Sequence, residues 1–264
     1  MQKLCIVIPA YNEERRIGET LKVYSDYFEN VVKSGDMDYE ILIVINNTSD
    51  KTEDVVKLFQ KRNANIKYLN FRQGGKGFAV RKGFEDALKR KNDLIGFVDA
   101  DLATPPKAFN ELIKNIRDYD GAIASRWHPS SIIKTRQTLL RKITSKGFNF
   151  LVKSILFLNL SDTQCGAKLF TRKAVESIVG DINLTEWAFD VDFLYILKNK
   201  GFKVIETPTI WEDKKGSKID LFFTPMQMFL SILRIRLLSS PFDFIIRAYD
   251  KMPLAIKLLN RMLK

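Results

Sequence analysis

Five short apolar runs rich in β-branched residues, at positions 4–8, 39–45, 66–69, 94–98 and 121–124, set the strongest constraint on this chain. A strand with one wet face alternates apolar and polar side chains, whereas a run that is apolar at nearly every position needs cover on both faces. The intervals between the first four runs carry helical periodicity, with helices expected to begin near Glu13, Asp50 and Gly77. Strands and helices alternating in this way build a mostly parallel α/β sheet with helices on both faces. Asp50-Lys51-Thr52-Glu53 reads as a capping box at the second helix.

The pattern changes after about residue 130. Positions 136–160 read as one amphipathic helix, and positions 221–264 as two or three more, broken at Pro225, Pro241 and Pro253. The expected division is therefore a domain over residues 1–220 and a helical segment over residues 221–264. The latter carries Arg234, Arg236, Arg247, Lys251, Lys257, Arg261 and Lys264 against Asp243 and Asp250. No apolar run approaches the ~18 residues that span a bilayer, so these helices are expected to lie in a membrane interface with basic residues toward anionic headgroups. Amphipathicity equally suits helices that cover the core or form a homo-oligomer surface.

With 264 residues, 45% of them hydrophobic, the chain can bury a sizeable core, and disorder is excluded. The net charge of +12 favours an anionic partner: lipid headgroups, a phosphorylated substrate or nucleic acid. No groove-reading motif or aromatic-basic array supports nucleic acid. Cys5 and Cys165 stand far apart without metal-ligand spacing, which argues against zinc and against a disulfide framework. The first apolar run is too short for a signal peptide, so exposure to the cytosol is expected, and the Asn-x-Ser/Thr matches at Asn46, Asn159 and Asn183 are read as chance.

The chemistry concentrates at strand ends. Asp99 and Asp101 stand at i and i+2 where the fourth run stops, followed by Pro105-Pro106. Both carboxylates then reach the carboxyl edge of the sheet, where open α/β folds bind ligands. Hard oxygen ligands so placed suit Mg²⁺ or Mn²⁺ bridging a diphosphate. The bland alternative is that such acids merely cap the next helix. The first run ends in Pro9-Ala10-Tyr11-Asn12-Glu13-Glu14 and the second in Asn46-Asn47-Thr48-Ser49-Asp50, so that three strand ends converge on one edge. Gln73-Gly74-Gly75-Lys76-Gly77 adds a flexible loop and a cation before a helix. It lacks P-loop spacing, and no Gly-x-Gly-x-x-Gly occurs, which argues against ATPase and dinucleotide functions.

These stretches, together with Ser125-Arg126, the run from Asp162 through Gln164 and Gly166 to Phe170, and Trp187-Ala188-Phe189-Asp190-Val191-Asp192, resemble family 2 glycosyltransferases of the GT-A fold. The similarity is to the branch that charges polyprenyl phosphates, and it lies nearer the dolichyl-phosphate glucosyltransferases than the mannose synthases. The resemblance implies that Pro9, Tyr11 and Glu13 line a nucleoside pocket, with Asp50, Lys76 and Asp99 nearby. Asp101 is implied as principal metal ligand beside Asp99. Arg126 and Arg141 resemble the arginines that grip the acceptor phosphate, a task suited to a guanidinium fork. Asp190 stands where an inverting enzyme places its carboxylate; with a phosphate acceptor, already anionic, its duty is expected to be orientation, or else only a helix cap. Gln164 is expected at the sugar, and Lys218 at the diphosphate or on the protein surface.

Two departures from the family pattern bear on specificity. Ala103 replaces the Gln usual after Asp-x-Asp-Leu in the mannose synthases, which leans toward glucose. Ile45-Asn46-Asn47-Thr48 replaces Asp-Asp-Gly-Ser at the second strand's end, so base recognition falls to the Asn46 amide. The expected activity is inverting transfer of a hexose, glucose from UDP-glucose, to polyprenyl or dolichyl phosphate at the cytoplasmic face of a membrane. Mannose from GDP-mannose, and a catalytically degenerate membrane-bound scaffold, are the alternatives.

Overall fold

The computed structural model describes residues 1–33, 35, 37–135, 139–182, 188–212, 223–244, 246 and 248, with the side chains of 139–143 and 223–226 outside that description. The expected mostly parallel sheet is present. Each of the five apolar runs is a strand: β1 (Gln2–Ala10), β2 (Met37–Asn46), β3 (Ile66–Phe71), β4 (Leu94–Val98) and β5 (Gly121–Ser125). Between them lie α1 (Ile17–Lys33), α2 (Thr52–Arg62), α3 (Lys76–Lys89) and α4 (Pro106–Ile116). Further on come β6 (Ile132–Ile133), α5 (Leu139–Leu156), β7 (Ala167–Thr171), α6 (Arg172–Ile178), α7 (Phe189–Asn199), β8 (Val204–Pro208), β9 (Ile210–Trp211) and α8 (Phe223–Leu238).

The large sheet runs β3-β2-β1-β4-β7-β5-β8. Its pairs are parallel except where β7 runs antiparallel between β4 and β5. Alternate residues of β1 explain the unbroken apolar run: Leu4, Ile6 and Ile8 enter a core on one face with Tyr24, Phe28 and Phe109, while Cys5 and Val7 enter a core on the other with Phe84, Phe170 and Phe193. Because β2 and β3 lie to one side of β1 and β4 to the other, the chain order reverses between β1 and β4. The carboxyl ends of these two strands therefore flank the crevice that forms at a topological switch point.

Several boundaries differ from expectation, for local reasons. Helix α1 begins at Ile17, preceded by a turn in which Glu13 accepts from the amides of Arg16 and Ile17. At α2 the expected capping box does not form: the N-cap is Lys51, without a side-chain cap bond, while Asp50 Oδ1 accepts from the Thr52 amide at 3.0 Å as an Asx turn and Glu53 reaches Asn70 and Lys57. The helix expected over 136–160 is α5, ending at Leu156. Pro225 does not break the C-terminal segment; it sits in the first turn of α8, where a missing amide costs nothing. Helix α8 buries Ile232 and Ile235 in the core of one sheet face and lies against α5 and α7, so this part of the segment covers the core. Among the described residues no helix is long and apolar enough to cross a membrane.

Candidate active site

The switch-point crevice is framed by the loops that leave β1, β2 and β4, and each makes a left-handed turn: Asn12 at φ 53°, Asn47 at φ 48° and Leu102 at φ 58°. Asparagine visits that region cheaply, but leucine does not, so the turn after Asp101 is held against its own preference. It is held by Asp101 itself, whose Oδ1 accepts from the Ala103 amide at 2.9 Å, and by α1, from which Thr20 donates to the Ala100 carbonyl at 2.6 Å and Tyr24 to that of Thr104 at 2.8 Å. Thus the turn that carries the two acids is clamped from the adjacent helix.

Asp99 and Asp101 meet cations from two directions. Lys76, at the start of α3, lies 2.5 Å from Asp99 Oδ1 and also stands 5.5 Å from the Phe189 ring centroid and 5.9 Å from that of Phe97. Burial would lower its affinity for the proton, but Asp99, Asp190 and Asp101 together raise it well above the ordinary lysine value. On the other side Glu13 pairs with Arg16 at 2.6 Å. Burial pushes the Glu13 carboxyl up despite Arg16, with Asp101 and Asp99 adding to the rise; Asp101 itself is raised by burial and by Asp99. Crowding of like charge in a partly dry crevice is what a divalent cation relieves.

The donor set fits such an ion. Among the described residues no group of three or more His, Cys, Asp or Glu is placed to hold a metal, and what they offer at the crevice is the carboxylate pair. That suits Mg²⁺ or Mn²⁺, which take one or two carboxylates and complete their shells with phosphate oxygens and water. Asp99 already faces Lys76, leaving Asp101 as the less compensated acid.

Other sequence-predicted residues have more defined surroundings than expected. Asp50 knits two loops: its Oδ2 accepts from the Glu14 amide at 3.0 Å, and Thr52 donates its hydroxyl to Oδ1 at 2.6 Å. Burial favours its protonated form, but these hydrogen bonds outweigh it and hold the carboxyl below its usual range. The Asn46 side-chain amide is built into the fold: it donates to the Ala10 carbonyl at 3.1 Å and accepts from the Gly75 amide at 3.2 Å, tying β1 to the glycine loop in a buried position. Pro9 is buried opposite Val44, and Tyr11 is exposed on the rim. Gln164 is half-buried, and its backbone N–H donates to Asp162 Oδ1 at 3.3 Å.

Arg126 does not stand open with its fork. Its Nε and Nη2 donate to Asp162 at 2.7 and 2.8 Å, its own amide donates to the same carboxylate at 2.9 Å, and its guanidinium lies 5.5 Å from the Trp211 ring centroid. Burial opposes charge on both partners, yet their attraction wins, holding Arg126 protonated and the Asp162 carboxyl below its usual range. Asp190 is not a helix cap: the N-cap of α7 is Ala188, and the Asp190 carboxylate pairs with buried Lys168 at 2.5 Å. The side chain of Arg141, and the whole of Trp187 and Lys218, lie outside the described residues.

Sequence reasoning assigned nothing to Lys168, Asp162 or Arg16. A signal existed for the first: a lysine inside the apolar strand Ala-Lys-Leu-Phe-Thr is a buried charge that demands a partner.

Comparison with known proteins places this geometry. The glycosyl transferase family 2 model matches residues 5–179. A dolichyl-phosphate beta-glucosyltransferase of Dictyostelium discoideum is 33% identical over 243 residues, covering 88% of this chain and 73% of that protein. Glycosyltransferase AglD of Haloferax volcanii is 31% identical over 235 residues, 88% of this chain but 36% of that protein, so the chain spans about a third of its length. Among solved structures, glucosyl-3-phosphoglycerate synthase from Mycobacterium tuberculosis, in complex with Mn²⁺, uridine diphosphate and glucosyl-3-phosphoglycerate, shares the fold with a TM-score of 0.63 at 14% identity, over 89% of this chain and 79% of that one. The switch-point crevice with its acid pair thus belongs to a recognised fold, and the chain is a member of glycosyl transferase family 2.

Proposed function

We propose that this chain transfers glucose from UDP-glucose to a polyprenyl or dolichyl phosphate, with inversion, working from the cytoplasmic face of a membrane. The observation that carries the reading is the meeting of Asp99, Asp101 and Lys76 at the β1–β4 switch point. The name of the Dictyostelium relative supports glucose and dolichyl phosphate, and the uridine diphosphate and Mn²⁺ of the mycobacterial synthase support the donor and the metal.

In this reading Asp101, with Asp99, holds Mg²⁺ or Mn²⁺, which supplies charge neutralisation for a departing diphosphate. Lys76, anchored on Asp99, adds a fixed positive charge beside the same phosphates, and Glu13 and Tyr11 border the nucleoside. The acceptor phosphate is anionic before it arrives, so no side chain has to remove a proton to create the nucleophile. The work of the acceptor side is alignment: Asp190 and Gln164 fix the sugar and phosphate in line, and Arg126 offers the Nη1 edge that Asp162 leaves to it. Arg141 and Lys218 join this set on the family resemblance alone. Asn46 acts as a brace between loops. The basic residues of the C-terminal segment, on their sequence alone, are the part that would seat the crevice at headgroup height, whereas α8 itself covers the core and turns Arg236 to the Tyr195 hydroxyl.

Incubation with polyprenyl phosphate, Mg²⁺ or Mn²⁺ and a panel of UDP- and GDP-hexoses, with the lipid product identified by mass, tests the proposal. Expected is a glucosyl lipid from UDP-glucose that disappears on chelation and in Asp101→Ala. A mannosyl lipid from GDP-mannose would transfer the assignment to mannose, and no product from any donor would overturn the enzymatic reading.

A further inference from the structure

Lys168 is the second residue of β7, paired with Phe97 of β4 on one side and Ile123 of β5 on the other, and its side chain is fully buried. Its ammonium makes two hydrogen bonds, to Asp190 Oδ1 at 2.5 Å and to the Cys165 carbonyl at 2.6 Å, and lies 5.1 Å from the Phe97 ring centroid. A lysine placed there bears a desolvation cost that an apolar residue of similar length would avoid. What the charge brings in return is a connection between two parts of the crevice.

One connection is to Asp190, at the start of α7. The neighbouring Phe189 presses on the start of α3, where a β-carbon at Gly77 would come within 2.9 Å of it, so Asp190 is held from both sides. The other is to the turn before β7. Cys165, whose carbonyl Lys168 grips, precedes Gly166, and Gly166 accepts from the Asp99 amide at 3.2 Å. Asp162, at the head of that turn, carries Arg126. A single buried ammonium thus fastens the acceptor-side acid to the turn that backs the donor-side acid.

We infer that Lys168 is a positioning residue that locks Asp190 and the 162–166 turn into one unit, so that the donor and acceptor halves of the crevice keep a fixed relation. With no exposed surface, it does this without touching substrate. The inference rests on the glucosyl-transfer reading above, and the wild-type protein tests that reading separately.

The test compares wild type with Lys168→Met, Lys168→Gln, Asp190→Asn and Lys168→Met/Asp190→Asn, each assayed well below its own unfolding temperature. The readouts are kcat for glucosyl transfer and calorimetric titration of UDP in the presence of Mn²⁺. Both Lys168 variants are expected to lose about 100-fold in kcat, and the double variant to lose no more than about threefold beyond the worse single one, because both changes break one unit. UDP affinity should fall by about tenfold as the turn behind Asp99 loosens. Gln keeps a donor for the Cys165 carbonyl without charge, so it supplies a folded variant should Met prove unstable. Folded Lys168 variants with wild-type kcat and UDP affinity would show a purely structural lysine and overturn the inference, as would a double-variant loss equal to the product of the single losses. Wild-type protein that neither binds UDP nor transfers glucose would overturn the functional reading and this inference with it.

Discussion

Gly166 is packed so tightly on Asp99 that a β-carbon there would overlap the Asp99 carboxylate, while its carbonyl accepts from the Asp99 amide at 3.2 Å. The acid at the end of β4 is therefore aimed by a residue that comes 67 positions later and has no side chain of its own. Gly166→Ala must push that carboxylate aside or move the turn. A displacement of the order of an ångström at a reacting centre costs ~100-fold in rate, and that loss is expected in kcat/KM for glucosyl transfer. Steady-state kinetics on a variant whose circular dichroism matches wild type decides it.

Gly147 offers the contrasting case. It lies inside α5, exposed, with nothing within 4 Å of the place a β-carbon would take. Gly147→Ala should stabilise the fold by ~0.5–1 kcal/mol, through lower entropy of the unfolded chain and better helix propensity. A rise of about 1–4 °C in the thermal midpoint is the expected reading.

The Arg126–Asp162 pair gives a pH signature. The Asp162 carboxyl is held below the ordinary aspartate range, burial notwithstanding, by the guanidinium of Arg126. A depressed carboxyl stabilises the folded state at pH values above its unfolded pKa, and that contribution drains away as pH falls through the folded pKa. Asp162→Asn leaves Arg126 as a largely buried charge without its counter-ion, at a cost of ~3–5 kcal/mol near neutrality. Urea denaturation should show a wild-type advantage that is constant near neutrality and narrows only as pH falls through the ordinary aspartate range, about pH 4, and below it. An advantage independent of pH would remove the pair's electrostatic role.

Both cysteines are closed to reagents. Cys5 and Cys165 are buried, and burial, reinforced at Cys165 by Asp162, pushes the Cys165 thiol up to about 12. Only thiolate reacts appreciably, so maleimide at about pH 7.5 should label neither residue in the native protein and both after unfolding. Mass spectrometry of the intact protein reads this directly.

What the sequence made legible follows from the range of each signal. The five apolar runs announced β1 to β5 because a strand covered on both faces writes its burial locally, residue by residue. Strand β7 escaped because Lys168 interrupts its run, and the partner that makes the lysine tolerable, Asp190, is 22 positions away. The same distance problem hid Asp162 behind Arg126, where the fork looked free for a phosphate. Asn46 shows the same limit: a polar residue at a strand end has the chemistry to read a base, and only the approach of Ala10 and Gly75 shows that its amide also ties two loops together. Asp99 and Asp101 were readable together because one short turn carries both.

The reversed direction of β7 has an architectural consequence. In a purely parallel sheet every strand delivers only its exit to the ligand-binding rim, so each contribution is followed by a return helix. A strand running the other way delivers its entrance, which lets the chain pass over the rim, from Ser125 through the 126–166 excursion, before descending beside β4. That excursion lays α5 into the core of one sheet face and ends in the 162–166 turn, so a single reversed strand lets one crossing both cover the sheet and bring Asp162 and Gly166 to the rim.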